Sequence, residues 1–242
     1  MPRSPKQAVL DFRPRRVSPP GQHGGARPGA GRPRTKHPRG HLPRPRFAGR
    51  FPLHVTLRLH RDVPSVRRGR AVRVIWRVIT AAHRDDFRIV EFVVLPNHLH
   101  LIVEAENADV LARRMQGFCI RLARNLNAHL NREGTFFAER YHLHVLRTPT
   151  EVRNALRYVL SNLRHHCSGP LARDWPDPYS SAVWFDGWAP RARFAFGEPR
   201  LKELRAHPPP TLPATRWLLT TGWRRWGALE PDEAPRGHGR QD

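Results

Sequence analysis

Glu91-Phe-Val-Val-Leu-Pro-Asn-His-Leu-His-Leu-Ile-Val-Glu104 is the stretch whose reading decides the fold. Pro96-Asn97 is a turn signal between two apolar runs. The runs on either side, Phe87–Leu95 and His98–Glu104, therefore read as the arms of a hairpin. Side chains alternate faces along a strand. His98 and His100 then share one face, while Leu99, Leu101 and Val103 enter the other. Two neutral imidazoles side by side are a ready pair of metal ligands. A buried apolar strand gains nothing from two adjacent histidines, so the pair asks for a chemical reason.

Working outward, Leu53-His-Val-Thr-Leu-Arg-Leu59 alternates as a half-buried strand, with His54, Thr56 and Arg58 on one face. Residues 66–83 place Ala71, Ile75, Val78 and Ala82 at helical spacing. After the hairpin, Leu111, Met115, Phe118, Leu122 and Leu126 keep one face of a long helix. Arg113, Arg114, Arg121 and Arg124 lie largely off that face. They form either an ordinary solvated surface or a DNA-facing one. Tyr141–Arg147 reads as a fourth strand. Thr148-Pro-Thr-Glu151 is a capping box with proline at the first helical position. It opens a helix that turns Val152, Leu156, Val159 and Leu163 inward. The order β-α-β-β-α-β-α predicts an α+β fold, the ferredoxin-like split βαβ sheet with helices on one face. The final helix is additional. His54, Thr56, Arg58, His98 and His100 are expected on the open face of the sheet.

The chain has 242 residues and a formal net charge of +23, with a pI near 11.7. Such a charge speaks of partners rather than fold, and nucleic acid is the expected polyanion. The bland source of the arginine excess is codon bias, since Lys6, Lys36 and Lys202 are the only lysines. Proline and glycine crowd the two ends, so residues 1–48 read as a disordered basic arm. Within it, Gly31-Arg32-Pro33-Arg34 is similar to the core of an AT-hook and makes Arg32 and Arg34 candidate DNA contacts. Residues 49–185 form the expected folded domain, and 186–242 a partly ordered extension with a disordered tail. Trp184, Trp188 and Trp217 are expected to pack on the core. Cys119 and Cys167 make no disulfide framework. No apolar run reaches the length of a membrane span or a signal peptide. A bacterial cytoplasmic, nucleoid-associated protein is the expectation.

Two further residues complete a chemical set. Tyr158 and Asn162 are four apart on the capped helix, hence neighbours on its surface. A phenol can act as nucleophile, and an amide oxygen one turn on can act as ligand. His98, His100 and Asn162 would hold Mg²⁺ or Mn²⁺ and leave positions for a phosphate oxygen and water. Tyr158 would attack phosphorus to form a 5′-phosphotyrosine, which conserves the bond energy for rejoining.

Three segments carry a resemblance: Val94-Leu-Pro-Asn-His-Leu-His-Leu-Ile-Val103, Phe136-Phe-Ala-Glu-Arg-Tyr-His-Leu-His-Val-Leu-Arg147 and Leu156-Arg-Tyr-Val-Leu-Ser-Asn162. The chain resembles the REP-associated tyrosine transposases, a branch of the single-tyrosine HUH transposases. The resemblance spans roughly residues 50–185, with weaker echoes in the Gly/Arg-rich start and in Thr221-Gly-Trp-Arg-Arg225. It implies that His98 and His100 bind the metal, that Tyr158 is the nucleophile and that Asn162 completes the site. It also implies cutting and rejoining of single-stranded DNA beside a folded hairpin, with a homodimer allowed. Relatives usually continue the tyrosine helix with Asn-Pro, whereas this chain reads Asn162-Leu163-Arg164-His165-His166. That departure leaves His166 as an alternative third ligand.

Other readings of these residues are weaker. A histidine-triad nucleotide hydrolase would carry a third histidine where Ile102 stands. A structural zinc site wants closely spaced cysteines or more histidines than the pair supplies. Tyr141 is a rival nucleophile, at a strand start with no ligand one turn away. The competing class is a non-catalytic DNA-binding regulator descended from such a transposase.

Overall fold

The structure is a computed structural model that describes residues 46–161, 176–190, 199–230 and 233. These residues belong to one compact unit, Arg44–Asp242. Arg32, Arg34, Asn162 and His166, and nearly all of the expected basic arm, lie outside the described residues.

Four strands form one antiparallel sheet: β1 (Leu53–Arg58), β2 (Phe87–Val94), β3 (His98–Ala105) and β4 (His142–Val145), in the order β2-β3-β1-β4. Helices α1 (Gly69–Thr80), α2 (Ala108–His129) and α3 (Pro149–Leu160) fall where periodicity places them. In this order β3 is inserted between β1 and β2, the expected split βαβ arrangement. Asn107 caps α2 by accepting from the backbone N–H groups of Asp109 and Val110 at 3.1 and 2.9 Å. Thr148 caps α3 by accepting from Glu151 N–H at 3.2 Å. Glu151 reaches back to Arg147 N–H, one residue before the cap, rather than to Thr148 itself.

The two faces of the sheet are buried differently. Val55, Leu57, Leu99, Leu101 and Val103 pack against α1 and α2 in the larger core cluster. Each such side chain removed from water is worth about 1.5–3 kcal/mol. The opposite face was expected to be open, and it is not. Leu156, Val159 and Leu160 of α3 pack on Ile102, Val90 and Val93, joined by Trp188, Leu218, Trp223 and Leu229 from the C-terminal segment. An apolar stripe on α3 needed a partner surface, and the upper half of this sheet face supplies it.

Two features of β2 explain the second cluster. Ile89 pairs with Val103 and Glu91 with Ile102, so Val90 is the extra residue of a β-bulge. The bulge reverses the alternation: Phe87 and Ile89 before it, and Phe92 and Val94 after it, all face the larger core. It also turns the Glu91 carboxyl toward the α3 side, where burial pushes its pKa up to about 8. The outer edge of β2 is covered by the segment around a short 3₁₀ turn, Ser181–Val183. Ser181 Oγ accepts from Phe92 N–H at 2.8 Å and donates to Phe92 C=O at 3.1 Å. Arg67 holds the same segment by a fork to buried Asp177, at 2.8 and 2.7 Å. The edge is thereby closed to strand addition.

The C-terminal segment contributes α4 (Pro199–Ala206), α5 (Trp217–Thr220) and a 3₁₀ turn at Gly222–Trp226. Trp188 is buried and Trp184 half-buried, as expected, but Trp217 keeps 52% of its surface exposed. No described helix is long and apolar enough to cross a membrane.

Candidate functional site

The register of the sheet builds the site row by row. Arg58 stands opposite His98, Thr56 opposite His100, and His54 opposite Ile102. On the other side of β1, Thr56 faces His142 and His54 faces His144. Cross-strand partners point to the same face. One patch of the sheet therefore gathers His54, His98, His100, His142 and His144 with Thr56 and Arg58. The second His-X-His, on β4, belongs to this patch only because β4 pairs with β1. That pairing is long-range, so no local pattern could assign this second pair to the site.

Helix α3 lays Tyr158 over this patch. The phenol ring sits edge-on to the His100 imidazole at 4.9 Å between centroids, and to His54 at 5.8 Å. Tyr158 is half-buried, packed against the smaller core cluster. Helical spacing places it off the Val152–Leu156–Val159 stripe, and the sheet beneath brings it onto the histidines. The His98 and His100 rings lie 4.7 Å apart, nearly perpendicular.

The hydrogen bonds around the pair set its chemistry. His98 Nδ1 lies 2.7 Å from Asn97 Oδ1, an acceptor, so Nδ1 carries the proton and Nε2 the lone pair. His100 is 4% exposed, and its Nδ1 lies 3.0 Å from Thr56 Oγ1 and 3.2 Å from His54 Nε2. Thr56 and His54 therefore engage His100 through Nδ1, and in the tautomer that carries its proton there Nε2 holds the lone pair. Imidazole ligands are commonly oriented this way, through the ring nitrogen that does not bind metal. The donor set thus fits a divalent cation of borderline softness. Among the described residues no group of three His, Cys, Asp or Glu side chains could hold a metal ion, so a third protein donor would be of another kind or lie elsewhere.

The arginines divide between the two sides of the sheet. Arg58 is exposed beside His98 on the site face. Arg113, Arg114, Arg121 and Arg124 ride on α2, which packs against the opposite face. Arg114 forks onto Asp86 at 2.9 and 2.9 Å, and Arg113 approaches the same carboxylate at 3.8 Å. The Arg114 guanidinium holds the Asp86 carboxyl below its usual pKa. Arg121 is half-buried with a sequestered Nε, and Arg124 is exposed. The structure gathers His98, His100, Tyr158 and Arg58, and sets the α2 arginines apart from them. Hydrophobic periodicity identified the helix but could not tell which side of the sheet it would cover.

No protein-family model matches the chain. A curated protein of Haemophilus influenzae, named "Putative REP-associated tyrosine transposase", is 30% identical over 105 residues, 39% of this chain. The chain spans 58% of the length of that relative. A solved structure of a REP-associated tyrosine transposase bound to a REP hairpin aligns with a TM-score of 0.47 and 20% identity. That alignment covers 58% of this chain and 81% of the other. In sequence, then, the chain is similar to a REP-associated tyrosine transposase, the same family that its His-X-His and tyrosine-helix motifs resemble.

Proposed function

We propose that this chain cuts and rejoins single-stranded DNA beside a hairpin, through a 5′-phosphotyrosine on Tyr158, with a divalent cation. The observation that carries this reading is the placement of the Tyr158 ring 4.9 Å from His100, on the sheet face that also presents His98 and Arg58.

In the cutting step the Tyr158 Oη–phosphorus bond forms and the phosphorus–O3′ bond breaks. The phenolic proton passes to water, and the departing 3′ oxygen takes up a proton. Rejoining is the reverse, with a 3′-hydroxyl attacking the phosphotyrosine, so no nucleotide hydrolysis is required. A Mg²⁺ or Mn²⁺ ion held by His98, His100 and the Asn162 amide would polarise the scissile phosphate and stabilise charge on the leaving oxygen. Thr56 and His54 hold the His100 ring in place. Arg58 offers a guanidinium to a phosphate entering past His98. Burial of His100 under α3 keeps its partners from being exchanged for water.

The test is incubation of the full chain with hairpin-flanked single-stranded DNA and Mn²⁺, followed by denaturing electrophoresis. A covalent protein–DNA adduct is expected from the native chain and none from Tyr158→Phe. An unchanged adduct in that variant would sink the nucleophile assignment. Tight, salt-sensitive binding without an adduct at any metal concentration would make the chain a DNA-binding regulator instead.

A further inference from the structure

The C-terminal stretch Arg216-Trp-Leu-Leu-Thr-Thr-Gly-Trp-Arg-Arg-Trp226 holds three tryptophans with different fates. Trp223 is buried against α3, at 1% exposure, while Trp217 and Trp226 are each 52% exposed. The segment can bury tryptophan, so leaving two of them in water needs a reason. Arg225 stands over the Trp217 ring at 5.3 Å, and both are exposed. Its neighbour Arg224, also exposed, pairs with Asp186 at 3.0 Å and lies over the Trp223 ring at 4.6 Å.

The stretch is fixed firmly, and on the side of the sheet that matters. Glu104 of β3 accepts from Thr215 N–H, from Thr215 Oγ1 at 2.6 Å and from Arg216 N–H at 2.8 Å, which pins the start of α5. Glu104 lies two residues from Ile102 and four from His100 along β3, so it shares their face. At the other end, Arg153 of α3 donates to the Gly227 and Ala228 carbonyls at 2.7 and 3.1 Å. Gly222 is required where the Trp217 ring passes: a Cβ there would meet the ring at 2.8 Å. One side of Trp217 is thus seated on backbone. The stretch is held between the strand that carries the histidine pair and the helix that carries Tyr158.

We propose that Trp217 and Trp226, with Arg225, form a stacking surface for unpaired nucleobases of single-stranded DNA. The assignment rests on the reading of this chain as one that handles such DNA. Half-exposed indoles beside guanidinium groups are what unpaired bases stack on, because every base has a π-face whatever its sequence. The net charge of +23 draws in the phosphates, and the aromatic pair adds a term that duplex DNA cannot use. Bases seated here would lie on the same side of the sheet as Tyr158.

The experiment compares an unpaired oligothymidylate with an abasic strand of equal length, which has the same phosphates and no bases. Fluorescence anisotropy with the full native chain is expected to give roughly ten-fold or more tighter binding of the oligothymidylate. Indole fluorescence should be quenched by that strand alone. Trp217→Ala and Trp226→Ala are each expected to lose most of this preference, while Trp217→Phe and Trp226→Phe retain most of it. Binding of the abasic strand should be unchanged in all four, which also reports that they fold. Equal affinity for the two strands, or alanine variants that bind like the native chain, would overturn the proposal. A change of sedimentation coefficient in the alanine variants, with base preference intact, would assign the patch to self-association and overturn it too. Tyr158→Phe, run alongside, is expected to keep the base preference. Loss of adduct chemistry and loss of stacking are therefore read separately.

Discussion

Thr56 Oγ1 lies 3.0 Å from His100 Nδ1, across a β1–β3 register that sets the two residues directly opposite one another. The hydroxyl engages Nδ1 of a nearly buried imidazole and so holds the orientation of the ring. Thr56→Val keeps the shape and removes the hydrogen bond. Mn²⁺ affinity, measured by calorimetry, is expected to fall by roughly 10- to 100-fold, the usual effect of losing such an orienting partner. Thr56→Ser should restore it. Unchanged affinity in Thr56→Val would show that His54 alone orients the ring.

Glu91 makes stability depend on pH. Its carboxyl titrates near pH 8 in the folded chain, because burial on the α3 side of the bulge disfavours the charge. In the unfolded chain it titrates near the ordinary value of 4.5. Between these values the folded state holds a proton that the unfolded state has released. The stabilising contribution is therefore full below pH 4.5 and is lost as pH rises through about 8, at roughly 1.4 kcal/mol per unit. Urea unfolding at several pH values is expected to show this decline in the native chain. In Glu91→Gln that part of the slope should be missing, so that the variant gains on the native chain toward pH 9.

The two sides of the sheet predict different roles for two exposed arginines. Arg58 borders His98, whereas Arg124 lies on α2 beyond the opposite face. Arg58→Ala is expected to weaken single-stranded DNA binding and reduce the slope of log affinity against log salt by about one. Arg124→Ala should leave both near their native values. Equal losses in a salt series would mean that DNA wraps both faces.

The cap of α3 supports the tyrosine helix from below. Thr148→Ala removes the bond to Glu151 N–H and is expected to cost about 1 kcal/mol in urea unfolding. Thr148→Ser should cost a few tenths at most. No loss in Thr148→Ala would mean that Pro149 and packing on the sheet suffice to start the helix.

The sequence by itself determined the strands, the hairpin and the two faces of β1 and β3. Their signals are local: alternation over Leu53–Leu59, a Pro-Asn turn, an apolar stripe four residues apart. It also determined the capping of α3 by Thr148, because a capping box is a matter of four consecutive residues. Only the tertiary structure decided what covers the histidine face. The α3 stripe could have sought any apolar surface, and it found Ile102 and Val93. The bulge at Val90 lies between Arg88 and Glu91 in a strand whose two faces are both largely buried, where alternation carries little information. The company of His54, Thr56 and Tyr158 around His100 likewise depends on pairings 40 residues or more apart in the chain, which no local pattern encodes. Periodicity said which way the two imidazoles point, and long-range packing decided what they meet there.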